Sequence, residues 1–419
     1  MFALKSLGLP AALLGLLAVL ASVPVFAATD SKDLGEILAS NKNLSTYYDL
    51  IQKYPEILLQ LPNYAGVTIV APSNEAFDKY QGWSNDNKTL VTNILEYHIL
   101  QGTVAAGAIQ EGVPVFPSTL LKDTKFTNVT GGQKLRIDKQ AGDVVVFTSG
   151  EGSRSTLLEP DITFTGGLVQ MVDTLLVPPA RLEPTARDSY QDLRAFLGAL
   201  YAADLVPEFA NSPNVTIFAP RNAAFQLLSG TLSGLTDDEL KRVLSYHLVP
   251  DLLVVSTDLK NGTNLTSAAT DAAGSAIDIH VTSAGNNRYI DSAQLLVPDI
   301  LVANGVVHMI DNVLNPDAAA VKPNPDIGTQ PPVFPLTGAT ATGSRVAVPF
   351  TTDLPCTQDC PVTTSASNNA TEEATATSTS SLRSSSSRGG GAGLPRCTGL
   401  VGAAAGAIGM GVLGMAAVI

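Results

Sequence analysis

Cysteine is scarce in this chain: three in 419 residues, all beyond residue 355. A disulfide-stapled scaffold is therefore excluded for everything before Cys356. The folded part must stand on apolar cores, which domains of roughly 100–150 residues can build. Cys356 and Cys360, close together in a Pro- and Thr-rich stretch, can form a local bridge in an oxidising compartment. Two thiols without neighbouring histidines supply too few ligands for a metal centre. Histidine is also rare, at four residues, and charged residues make up 15% of the chain with a net charge of −13. The clustered lysines and arginines that grip phosphate are missing, which argues against nucleic acid as a partner. There is no Gly-x-Ser-x-Gly elbow, no His-Glu-x-x-His helix and no P-loop. Carboxylates are plentiful, but nothing in their spacing supports a glycosidase pair. The expectation is a protein that is not an enzyme and uses no cofactor or metal.

The two ends read as processing signals. Lys5 precedes an uncharged apolar stretch from about Leu7 to Val23, and Val25-Phe26-Ala27 offers a cleavage site. Residues 1–27 are thus expected to be a secretory signal peptide, with a retained signal anchor as the competing reading. The far end, Thr398–Ile419, is uncharged and rich in Gly and Ala, and follows a run of small residues. That pattern predicts a lipid-anchor attachment signal over 389–419, with Gly389 as the attachment residue. The competing reading is a retained transmembrane helix. Seven Asn-x-Ser/Thr sequons agree with export: Asn43, Asn87, Asn128, Asn214, Asn261, Asn264 and Asn369.

Between these ends one cassette occurs twice. Thr68-Ile69-Val70-Ala71-Pro72-Ser73-Asn74-Glu75-Ala76-Phe77 returns as Thr216-Ile217-Phe218-Ala219-Pro220-Arg221-Asn222-Ala223-Ala224-Phe225. Each copy is followed by an amphipathic segment ending in Tyr-His, at Tyr97-His98 and Tyr246-His247. Each unit closes on an apolar run ending in Asp173 or Asp311. The landmarks keep their order at nearly one period, which means a duplicated domain rather than a solenoid. The pattern resembles the fasciclin (FAS1) domain. Asn304-Gly305-Val306-Val307-His308-Met309-Ile310-Asp311-Asn312-Val313-Leu314 is the fuller match. The first copy has Gly166-Gly167 for Asn-Gly and Gln170 for His308. The resemblance implies an α+β fold, two tandem wedge-like β-sandwiches with packed helices. It also implies an adhesive role.

The expected layout is a first domain over 28–178, a proline-stiffened bridge, a second domain over 185–317, and a disordered stalk over 318–388. Pro, then Ser, Thr and Ala, dominate that last segment, and such composition buries too little apolar surface to offset ordering entropy. Val91, Ile94, Leu95 and His98 share one helical stripe, as do Leu240, Val243, Leu244 and His247. Both histidines therefore read as partly buried groups bonded to backbone. The resemblance adds another reading, since residues around Tyr-His in animal relatives are linked to integrin binding. Tyr97, His98, Tyr246 and His247 carry that alternative here. Asn74 and Asn222 read as turn stabilisers, Phe77 and Phe225 as core, and Asp173 and Asp311 as caps on backbone donors. His308 stands among apolar residues where the first copy has Gln170.

The function expected is cell-surface adhesion, through a protein or carbohydrate of the cell wall or matrix, with the membrane reached through a lipid anchor. A retained C-terminal helix would instead point to a vacuolar or endomembrane protein supporting vesicle or autophagosome fusion.

Overall fold

A computed structural model describes residues 32–63, 66–80, 87–319, 321–337 and 347–355. The expected signal segment 1–27, the sequon Asn369, Cys356, Cys360 and Gly389 lie outside the described residues.

Each copy of the cassette folds around one mixed sheet. In the first lobe the strands are β1 (Val67–Pro72), β2 (Ile99–Gln101), β3 (Arg136–Gln140), β4 (Val144–Thr148), β5 (Arg154–Phe164) and β6 (Gly167–Val172). Their order in the sheet is β2-β1-β6-β5-β4-β3. The second lobe has β7 (Val215–Pro220), β8 (Leu248–Val249), β9 (Asn264–Thr270), β10 (Ala276–Ala284), β11 (Asn287–Ile290), β12 (Ala293–Val302) and β13 (Gly305–Ile310). Their order, β8-β7-β13-β12-β11-β10-β9, repeats the plan with one added edge strand. The cassette strands β1 and β7 run parallel to the closing strands β6 and β13, while the other pairings are antiparallel.

The cassette strands are apolar without alternation because both of their faces are buried. Val67, Ile69 and Ala71 face a helical core that includes Leu38, Tyr47, Ile94 and Leu95. Val70 points the other way, into a core with Leu135, Ile137, Val145 and Phe147 from the opposite end of the same sheet. Residues of β3 and β4 can meet those of β1 and β6 only if the sheet folds back on itself. The bend falls where β5 and β12 lose register, around Glu159 and Val297. There Asp161 and Asp299 adopt φ of 54° and 63°, the backbone of a bulge that re-aims a strand. The closing strands pass very near the cassette strands. A Cβ on Gly167 or Gly305 would collide with the carbonyl of Val67 or Val215, which accounts for those glycines.

The helices follow their local signals. Ser73 caps the helix Asn74–Lys79 by accepting from the Ala76 N–H at 3.3 Å. Thr236 and Glu239 form a capping box at the start of Asp237–Ser245. That helix buries Leu240, Val243 and Leu244, the predicted stripe.

The described lobes belong to one compact unit. The 127–133 loop of the first lobe sits on the β12–β13 turn of the second. Thr127 Oγ1 donates to the Ala303 carbonyl at 3.0 Å, Asn128 N–H to the same oxygen at 2.7 Å, and Gln133 Nε2 to the Val302 carbonyl at 3.2 Å. Asn214 Oδ1 accepts from Thr130 N–H and its Nδ2 donates to Thr130 Oγ1, both at 2.8 Å.

One expectation is corrected. The segment beyond 317 does not start as a stalk: residues 321–337 and 347–355 pack on the second lobe. Phe334 and Leu354 are buried in its helical core, and Phe350 packs edge-on against Phe225 at 6.1 Å. Gln330 is buried as well, and its carbonyl accepts from Asn312 Nδ2 at 2.8 Å. The proline content stiffens this segment, while Phe334 and the Phe350–Leu354 pair bind it down.

Candidate functional site

The Tyr-His pairs lie inside the lobes. His98 and His247 each end a helix and are essentially inaccessible. His98 Nδ1 donates to the Ile94 carbonyl at 2.8 Å, and its Nε2 accepts from Leu176 N–H at 2.9 Å. His247 repeats this with the Val243 carbonyl at 2.8 Å and Leu314 N–H at 2.9 Å. One acceptor and one donor per ring fix the neutral, Nδ1-protonated tautomer. Burial pushes both imidazoles down to about 4, only partly offset by the backbone bonds. Each ring thus staples the end of its helix to the segment after the closing strand. The tyrosines are equally enclosed: Tyr97 OH donates to the Lys134 carbonyl at 3.0 Å, and burial raises its pKa.

The other motif residues are spent in the same way. Thr68 Oγ1 donates to the Gly102 carbonyl at 3.0 Å and accepts from Val104 N–H at 2.8 Å. Thr216 does so with Leu252 and Val254 at 2.6 and 2.8 Å. Asn74 joins Lys42 O to Thr46 N–H, and Asn222 joins Gln191 O to Ala195 N–H. Asp173 and Asp311 accept from Thr156 N–H and Gln294 N–H, both at 2.7 Å. Phe77 and Phe225 fill the helical cores. His308 Nε2 donates to the Val254 carbonyl at 2.8 Å, and its Nδ1 accepts from Asp299 N–H at 3.2 Å. Gln170 makes the same two bonds to Val104 O and Asp161 N–H, at 3.0 and 2.9 Å.

The polar groups left for function lie elsewhere, and two places stand out. The first is a chain of side chains in the second lobe that sequence reading passed over. Tyr246 OH donates to Asp291 Oδ2 at 2.8 Å, and Asp291 Oδ1 accepts from His280 N–H at 2.9 Å. The His280 ring lies 3.3 Å from that same oxygen. Asp291 is buried and its carboxyl is raised by that burial, against the pull of its hydrogen bonds. His280, by contrast, has a side chain 48% exposed, and it lines a cavity of about 480 Å³ shared with Asn264, Val321 and Pro323. The signal in the sequence was the polar face of β10, where His280 alternates with Ile279 and Val281. Asp291 could not be found that way, since it sits at φ 50° in the β11–β12 turn.

The second place is the lobe junction. Arg136 of β3 is held by Asp138 at 2.8 and 2.9 Å and reaches to 3.7 Å from Asp299 Oδ2, a buried atom with no hydrogen bond among the described residues. Among the sequons, Asn43, Asn87, Asn128, Asn261 and Asn264 are exposed, and Asn214 is half-buried with its carboxamide on Thr130. Among the described residues no cluster of His, Cys, Asp and Glu could hold a metal ion. No helix among them is long and apolar enough to cross a membrane.

The fold and these sites can be set beside known proteins. A model of the fasciclin domain matches residues 42–178 and 191–316. A fasciclin-like arabinogalactan protein of Arthroderma benhamiae is 29% identical over 314 residues, 73% of this chain and 72% of that one. The fasciclin-like arabinogalactan protein elcF of Phaeosphaeria nodorum is 25% identical over 296 residues, 70% and 91% of the two chains. A solved FAS1 domain pair from the insect cell adhesion molecule fasciclin I is 20% identical with a TM-score of 0.32, covering 67% of this chain and 99% of that one.

Proposed function

The chain belongs to the fasciclin domain family, and from that premise we propose that it is a non-catalytic adhesion protein of the cell surface, engaging a cell-wall or matrix partner. One observation carries the reading. The polar residues that define the duplicated motif are turned inward and bonded to backbone, so the outer faces of two coupled lobes are free to differ and to bind. An adhesive display needs such a stiff, sequence-tolerant platform more than a reactive cleft. Two similar proteins are named as fungal arabinogalactan proteins, which favours a wall-facing, glycosylated setting. The proposal includes export through the 1–27 segment and a lipid anchor near Gly389, with the integrin-type role of the Tyr-His pairs set aside because those residues are enclosed.

Treatment of intact cells with a phosphatidylinositol-specific phospholipase tests the anchor, with an epitope inserted after Ile419 followed in parallel. Release without the epitope supports surface display. Retention with the epitope on internal membranes would replace adhesion by an endomembrane role. Binding of the released two-lobe protein to isolated walls, compared with bare wall controls, tests adhesion itself.

A further inference from the structure

The cavity beside His280 has a feature that its lining alone does not explain. Asn264 and His280 face each other directly across β9 and β10, so their side chains stand on the same side of the sheet. Asn264 opens the sequon Asn264-Leu265-Thr266, it is exposed, and its carboxamide makes no hydrogen bond among the described residues. The neighbouring sequon Asn261 borders the same cavity, and its Oδ1 accepts from Ser283 N–H at 2.9 Å, so of the two only Asn264 has a carboxamide free of such bonds among the described residues. Asn264 is therefore an attachment point on the wall of a ready-made cavity.

We propose that this cavity seats the first sugar of an N-linked glycan on Asn264. The inference rests on the export reading, since only an exported chain meets the glycosylation machinery. The cavity volume of about 480 Å³ falls within the roughly 300–1,000 Å³ of sites that enclose small molecules. Its composition suits an N-acetylhexosamine. Ala319, Val321 and Pro323 offer an apolar wall for the ring face, while His280 and Lys322 offer polar groups for the hydroxyls and the acetamide. The Tyr246–Asp291–His280 chain holds the imidazole in place from behind. Attachment at the wall also makes binding intramolecular, so a weak site fills at the effective concentration of a short tether, on the order of millimolar. A free saccharide would have to displace that tethered sugar. The glycan would in turn cover the 321–323 segment and help hold it on the second lobe.

The test uses the full-length protein purified from its own cells. Site-by-site glycopeptide mass spectrometry is run before and after peptide N-glycosidase treatment under native conditions. The enzyme must reach the bond between the first sugar and Asn, so it acts on the unseated fraction. Release at Asn264 is expected to be about tenfold slower than at Asn87, and to become as fast in Val321→Asp, which spoils the apolar wall but keeps the sequon. Denatured protein should lose both glycans equally. Equal native release at Asn264 and Asn87 overturns the seating, as does an unoccupied Asn264 beside an occupied Asn87. Bare asparagine at every sequon overturns this inference, while an uncleaved 1–27 segment on the purified protein would overturn the export reading with it.

Discussion

His308 and Gln170 occupy the same place in the two lobes and make the same pair of hydrogen bonds, one to a loop carbonyl and one from the N–H of a positive-φ aspartate. An imidazole and a carboxamide are interchangeable here because each presents one donor and one acceptor at similar reach. Gln170 also donates to Asp161 Oδ1 at 2.6 Å. The position is therefore defined by hydrogen-bond geometry and not by the chemistry of histidine. His308→Gln is expected to cost less than about 1 kcal/mol, and His308→Leu about 1–3 kcal/mol, since the latter strands a buried carbonyl and a buried N–H. Urea denaturation of the two variants checks this. Equal losses would mean that the ring itself matters.

Acid should weaken the fold through His98 and His247. Their folded pKa is about 4, against about 6.5 unfolded. The unfolded chain therefore takes up protons first as pH falls. Stability from these rings is complete above about pH 6.5 and is lost between there and about pH 4, by about 3 kcal/mol per histidine. Asp291 and Asp311 act in the opposite sense. Burial raises their folded pKa, so the fold keeps protons that the unfolded chain gives up, and falling pH favours it in their range. The histidine effect is isolated by His247→Gln. That variant should flatten the slope of stability against pH between 4 and 6.5 by about one proton, measured from urea midpoints across the range. An unchanged slope would show that His247 does not titrate with unfolding.

Arg136 adds a charged tie to the hydrogen bonds between the lobes. It stands 3.7 Å from Asp299 Oδ2, which has no hydrogen-bond donor among the described residues. Removing the guanidinium leaves a buried carboxylate oxygen uncompensated, so Arg136→Ala is expected to cost about 1–3 kcal/mol, largely in coupling between lobes. Calorimetry should then resolve separate transitions where the wild type shows more overlap. Asn214→Ala should act in the same direction through Thr130. For the same reason Asn214 is expected to carry no glycan, which glycopeptide analysis of the exported protein will show.

Much of this was legible in the sequence because a duplication repeats long-range information. The Thr-Ile-Val-Ala-Pro run announces a strand buried on both faces, and the helical stripes ending at His98 and His247 announce the burial of those rings. The bulges at Asp161 and Asp299 were not legible, since a left-handed backbone is imposed by the fold around them. Nor was the chain Tyr246–Asp291–His280, whose members come from a helix end, a turn and a strand. The packing of 321–337 and 347–355 is not legible in composition. Proline and threonine are the segment's commonest residues, and Phe334 stands well apart from the Phe350–Leu354 pair, so the three show no repeated spacing.

That segment supplies the last prediction. Phe350 passes so close to the helix Arg194–Ala202 that a Cβ on Gly198 would collide with its carbonyl. A methyl group at Gly198 would also favour the helix itself, by roughly 0.5–1 kcal/mol relative to glycine. The two effects oppose each other and can be separated. If the contact matters, Gly198→Ala expels 347–355 while leaving the lobe folded, and protease cleavage near Phe350 speeds up without loss of helical signal. Phe350→Ala should open the same segment, at a cost of about 2 kcal/mol from lost contact with Phe225. The double variant should be no worse than the worse single one, because both break one contact. A Gly198→Ala protein with unchanged cleavage and a higher melting temperature would mean that the backbone shifts to admit the methyl group, and that this helix face does not depend on glycine to hold the segment down.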